Sequence, residues 1–141
     1  MEKVKVGQIG VGYWGPNLLR NLVGNQKCKV ESVIDLSADR RQFIKSLYPD
    51  LNVGTDVSEI FGDNSIKAVL IATPASTHFS LVMKALQAGK HVLVEKPMAT
   101  TVNEVAAIDK LAEQKGLVAM VGHTFLYHQS VRFIKNLIIY Y

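Results

Sequence analysis

The spacing of apolar residues changes period several times along the chain. Apolar positions alternate or run together over 3–9, 29–35, 51–53, 68–72, 91–94 and 117–121. Those are the lengths and compositions of half-buried or buried strands. Between them apolar positions recur every three to four residues, the period of an amphipathic helix. This reading places helices at 14–24, from Ser37 to about residue 48, and at 57–62, 76–88, 102–115 and 129–138. In the fourth of these, Phe79, Val82, Met83 and Leu86 fall on one stripe and Gly89 ends it. Start and stop signals agree with the periods. Pro16 stands in a first turn, Ser37 and Thr101 stand as N-caps, Glu104 completes a capping box, and Gly24 and Gly116 close helices. About six strands alternating with helices predict an α/β fold with one doubly wound parallel sheet, in the order 3-2-1-4-5-6.

Chemistry enters at the first strand-to-helix turn. The first strand runs into Gly10-x-Gly12-x-x-Gly15, a helix follows, and Asp35 ends the second strand twenty residues later. This is the dinucleotide-binding (Rossmann) fingerprint in its required context. Gly10 permits the tight turn, Gly12 lets backbone approach a pyrophosphate, and Gly15 lets the helix pack close to the strand. The helix start offers free N–H groups to the phosphates. Asp35 can accept from the ribose hydroxyls, which favours NAD over NADP; Arg40 nearby keeps NADP open, because an arginine there accommodates the 2′-phosphate. Tyr13 and Trp14, inside the glycine loop, are expected to cover the pyrophosphate.

Composition narrows the picture further. The chain has 141 residues, 48% of them hydrophobic, and a net charge of +4. That length allows one domain with a sizeable core. The basic residues are scattered, with Arg40-Arg41 the only adjacent pair, so no nucleic-acid face is expected. No apolar run reaches the roughly 18 residues of a membrane span, and the N-terminus lacks the build of a signal peptide. A cytoplasmic setting is expected. The lone cysteine, Cys28, excludes an internal disulfide, and the four histidines show no metal-ligand spacing. His91, at a strand start, reads as structural.

Two further segments carry a family resemblance. Thr73-Pro74-Ala75-Ser76-Thr77-His78 follows the fourth strand, and Glu95-Lys96-Pro97 follows the fifth. With the glycine loop and Gly122-His123, these resemble the Gfo/Idh/MocA oxidoreductases over the whole chain. The stretch Gly12-Tyr-Trp-Gly-Pro-Asn17 most resembles bacterial members acting on nucleotide-linked amino sugars, such as UDP-N-acetylglucosamine 3-dehydrogenases. The resemblance implies hydride transfer between a sugar hydroxyl and a nicotinamide cofactor. It implies that Thr73 and Pro74 line the nicotinamide side, that His78 and His123 lie near the cofactor, and that Glu95 touches the nicotinamide ribose. Lys96 would be the catalytic residue, facing the reacting hydroxyl, and the Lys96–Pro97 peptide would be cis.

Members of that family are more than twice as long and carry a second domain that binds the sugar. The expected division is therefore a dinucleotide-binding domain over 1–125, with 126–141 a helix beginning the crossover to an absent substrate domain. On this reading the chain is a truncated form with weak or no activity alone. The alternative is a stand-alone nucleotide-binding or interaction module. In either case the apolar end at 137–141 is expected to favour a homo-oligomer.

Overall fold

The computed structural model describes residues 2–140, with the side chain of Tyr140 outside the description; the expectations touching Met1 and Tyr141 lie outside these residues. The strands are β1 (Val4–Ile9), β2 (Cys28–Ile34), β3 (Asn52–Gly54), β4 (Ala68–Ile71), β5 (His91–Val94) and β6 (Ala119–Val121). The helices are α1 (Gly15–Gly24), α2 (Ala38–Leu47), α3 (Ser58–Phe61), α4 (His78–Gln87), α5 (Val102–Lys115) and α6 (Gln129–Tyr140). Short 3-10 turns at Ala75–Thr77 and Thr124–Tyr127 precede α4 and α6. The sheet has the order β3-β2-β1-β4-β5-β6. Every pairing in it is parallel. This is the doubly wound arrangement that the strand–helix alternation predicts, with its switch point between β1 and β4.

The register aligns the strand ends. Ile34 pairs with Ile9, Ile9 with Ile71, Ile71 with Val94, and Val94 with Val121. The next residue on each strand is therefore Asp35, Gly10, Ala72, Glu95 or Gly122, and all five leave the sheet along one edge. Motifs up to 112 residues apart in sequence are brought onto one line by hydrogen-bond register alone.

Two apolar clusters lie on opposite faces. Ile9, Ile34, Val69, Ile71, Val92 and Val94 pack under Ile60, Val82, Leu86 and Ile108 from α3, α4 and α5. Val6, Val30 and Val33 pack under Leu19 of α1 and Ile44 of α2. The stripe on α4 behaves as its period predicts: Val82 and Leu86 are fully buried, and Phe79 and Met83 pack against the same cluster. The second face is covered only over its first half. Leu70, Leu93 and Met120 stand side by side across β4, β5 and β6, and Met120 is 44% exposed. They and Leu18 floor an apolar groove of about 140 Å³.

Local signals act where expected. Ser37 Oγ accepts from the Arg40 N–H, and Thr101 and Glu104 form the reciprocal capping box. Gly116 ends α5 in the left-handed region at φ 63°. His91 Nδ1 accepts from the Val118 N–H at 3.0 Å, a structural tie between β5 and the approach to β6. The helix expected over 76–88 divides: a 3-10 turn comes first and α4 begins only at His78. Both the N–H and the hydroxyl of Thr77 donate to the Pro74 carbonyl, which tightens that turn.

Candidate functional site: a cleft at the carboxyl ends of the strands

Four loops rise from the shared strand edge and enclose an open cleft of about 1050 Å³. The glycine loop contributes Gly12, Tyr13 and Trp14; the β4 loop contributes Thr73, Pro74 and His78; the β5 loop contributes Glu95, Lys96 and Pro97. Gly122 and His123 follow β6, and Phe125, Leu126 and Val131 close the far side. Ten residues singled out from the sequence thus meet at one wall. Gly10, Gly15, Asp35 and Arg40 do not line it.

The three glycines divide their work. Gly10 has φ +91°, and a Cβ there would lie 2.5 Å from the Ala72 carbonyl oxygen. A Cβ on Gly15 would lie 2.6 Å from the Gly10 carbonyl oxygen. Both are required by the protein itself. A Cβ on Gly12 would meet nothing within 4 Å. That glycine is not explained by internal packing, and its open side belongs to the cleft. The start of α1 has no side-chain cap and no acidic residue in its first turn, so its leading N–H groups have no side chain competing with an anion. Tyr13 is 92% exposed and Trp14 50%, so neither is a core residue.

Two residues hold this loop in place. Gln8 is fully buried, and its amide nitrogen donates to the carbonyls of Gly10 and Gly15 at 3.0 and 2.9 Å, bridging the two ends of the turn. Asp35 Oδ2 accepts from the Val11 N–H, and Oδ1 accepts from the Ser37 N–H, each at 2.8 Å. The carboxylate therefore braces the glycine loop against the start of α2, and its second lone pairs remain for ribose hydroxyls. Of the adjacent arginines, Arg41 rather than Arg40 is built into this corner. Its guanidinium donates to the carbonyls of Asp35 and Leu36, both at 2.9 Å, whereas the Arg40 side chain is exposed. Gln8 and Arg41 were not legible as site residues in the sequence. The only signal was a polar side chain at Gln8 between apolar strand positions.

At the other end of the cleft, Glu95 lies over Gly122: a Cβ there would come within 3.0 Å of Glu95 Oε1. Glu95 Oε2 accepts from the Lys96 N–H at 3.2 Å. Lys96 is exposed at the cleft wall, and the Lys96–Pro97 peptide is cis, as the resemblance implies. Thr77 Oγ1 donates its one proton to the Pro74 carbonyl, so Thr73 Oγ1 is the donor in the 2.7 Å contact between the two hydroxyls. His78 is only 1% exposed, with each ring nitrogen on a backbone carbonyl.

A parallel switch-point sheet with a glycine loop, a bracing acid and an open phosphate corner defines a dinucleotide-binding domain. The model of the oxidoreductase family with an NAD-binding Rossmann fold, GFO_IDH_MocA, matches residues 4–123, and the chain belongs to that family. It is 31% identical over 136 residues to a 4-carboxy-2-hydroxymuconate-6-semialdehyde dehydrogenase from a Sphingobium strain, covering 96% of this chain and 43% of that protein. It is 33% identical over 143 residues to scyllo-inositol 2-dehydrogenase (NADP(+)) IolW from Bacillus subtilis, covering 98% of this chain and 38% of that protein. A solved 3-ketoreductase from Actinomadura kijaniata, in complex with TDP-benzene and NADP, superposes with a TM-score of 0.87 at 25% identity. That alignment covers 97% of this chain and 44% of the reductase. The chain thus spans well under half the length of these relatives. No helix among the described residues is long and apolar enough to cross a membrane.

Proposed function

We propose that this chain is the cofactor-binding half of a dehydrogenase that oxidises a secondary hydroxyl of a sugar or nucleotide-linked sugar, with NAD(H) preferred. The observation that carries it is the convergence of the glycine loop, Thr73–His78, Glu95–Pro97 and Gly122–His123 on one cleft, with Gly12 open to it. On this reading the backbone from Gly10 to Gly15 seats the pyrophosphate, and Tyr13 and Trp14 cover it. Asp35 reads the adenosine ribose, and Arg40 and Arg41 flank it. Thr73, Pro74, His78 and His123 line the nicotinamide end, where Glu95 meets the second ribose. A bound nicotinamide supplies the hydride acceptor. Lys96 Nζ faces the substrate hydroxyl, stabilises the negative charge that builds on its oxygen, and handles the proton that leaves it.

The nucleotide-linked substrate is supported by the Gly12–Asn17 stretch and by the TDP compound in the ketoreductase complex. The inositol dehydrogenase points to a cyclic polyol as the competing substrate class. We divide the chain into a cofactor domain over 1–125 and a connecting segment over 126–141. A second reading, a nucleotide-binding module without turnover, draws on the glycine loop and its bracing Asp35, which serve nucleotide binding with or without chemistry. Titration calorimetry with NADH and NADPH tests the cofactor assignment. NADH binding tighter is expected; NADPH tighter by about tenfold, roughly 1.4 kcal/mol, would reverse the preference. Turnover of a sugar nucleotide that Lys96→Ala abolishes would exclude the module reading.

A further inference from the structure

The sheet ties β4 to β5 only as far as the Glu95 N–H, which donates to the Ile71 carbonyl at 2.9 Å. Beyond that point the two loops separate, one carrying Thr73 and Pro74, the other Lys96 and Pro97. One side chain rejoins them. His78 Nδ1 lies 2.6 Å from the Pro97 carbonyl oxygen and Nε2 lies 2.8 Å from the Thr73 carbonyl oxygen. Both partners are backbone carbonyls, one on each loop, so the buried ring spans the gap and takes polar contact with both sides. Tyr13, Glu95, Lys96 and His123 are the other titratable side chains lining the same cleft.

We propose that His78 is a positioning residue: its buried ring, set between the Thr73 and Pro97 carbonyls, clamps the β4 loop to the β5 loop and so sets where Lys96 stands against a bound nicotinamide. The second half of this statement rests on the cofactor reading above; the clamp itself does not. Lys96 precedes the clamped Pro97 carbonyl by one residue, so a loosened clamp is transmitted directly to it.

Two measurements on the whole chain decide it. In ¹H–¹⁵N spectra of the labelled protein, a ring N–H of His78 should be visible and protected from exchange with water. A ring with no protected N–H overturns the clamp. Binding is then compared for NADH and ADP-ribose, which lacks the nicotinamide. His78→Phe fills the space without donors and should weaken NADH about tenfold while leaving ADP-ribose unchanged. Equal losses for both ligands, or no loss for either, overturn the positioning role. His78→Gln, which keeps donors, should recover part of the NADH affinity and serves as the second variant if His78→Phe does not fold. Should the unaltered chain bind neither ligand, the cofactor reading fails, and the ring spectrum still decides the clamp.

Discussion

Gly10 and Gly12 stand two positions apart in one motif yet answer to different constraints. Gly10→Ala adds a Cβ 2.5 Å from a backbone oxygen at a positive φ, so it should destabilise the fold by at least about 1–2 kcal/mol, read as a lower thermal midpoint. Gly12→Val adds its side chain to open space. Its thermal midpoint should stay near that of the unaltered chain while NADH affinity disappears in calorimetry. A folded Gly12→Val protein with undiminished affinity would remove the pyrophosphate from this loop. Asp35 was legible as the acid of the fingerprint, because its distance from the glycines is a local property of a strand–helix–strand unit. Its two bonds to Val11 and Ser37 were not, since they depend on how closely the β2 end approaches the glycine loop in space. Asp35→Ala should therefore weaken NADH binding and also lower stability.

Elements were the most readable level, because period and capping are written in neighbouring residues. The capping box at the start of α5 is the clearest case and carries a pH signature. Hydrogen bonds from the Thr100 hydroxyl and backbone, and then from Thr101, hold the Glu104 carboxyl below its ordinary range. A carboxyl lowered in the folded state contributes stability above its unfolded pKa, and that contribution is lost as pH falls through the folded value. The thermal midpoint should thus drop on acidification below the usual glutamate range. Glu104→Gln should flatten part of that drop, and an unchanged acid limb would exclude the assignment. Thr101→Ala should cost about 1 kcal/mol at neutral pH. The division of the expected 76–88 helix was less legible. Its apolar stripe runs on from Phe79, while the 3-10 turn before it is set by Thr77 bonding back to Pro74.

At the scale of the whole molecule the described structure leaves apolar surface uncovered in two places. Leu70, Leu93 and Met120 floor a groove on one sheet face. Phe125, Phe133, Ile134 and Ile138, on the second 3-10 turn and α6, are 54–74% exposed. Patches of this kind favour association. Light scattering should show a mass that rises with concentration, and a strict monomer at every concentration would count against a covered α6. On the proposed function, residues 1–141 taken by themselves should form little or no NADH from a sugar nucleotide. Positioning a substrate against a cofactor is worth up to about 7–11 kcal/mol of barrier, and that requires a wall opposite Lys96.

The sequence by itself determined the class of fold, the strand order and the glycine loop with its acid. These follow from periodicity, caps and the geometry of one strand–turn–helix unit, all of which act over a few residues. Its apolar patterning also placed Lys96, Glu95 and His123 after strand ends, and a family resemblance that needs no coordinates gave them their expected roles. Only the tertiary structure decided that Gln8 bridges the turn, that Arg41 and not Arg40 is pinned at the Asp35 corner, and that His78 faces two carbonyls. Each of those depends on the direction of one side chain within a shared register. The row Ile34, Ile9, Ile71, Val94 and Val121 sets that direction, and it exists only once parallel strands from distant parts of the chain have paired.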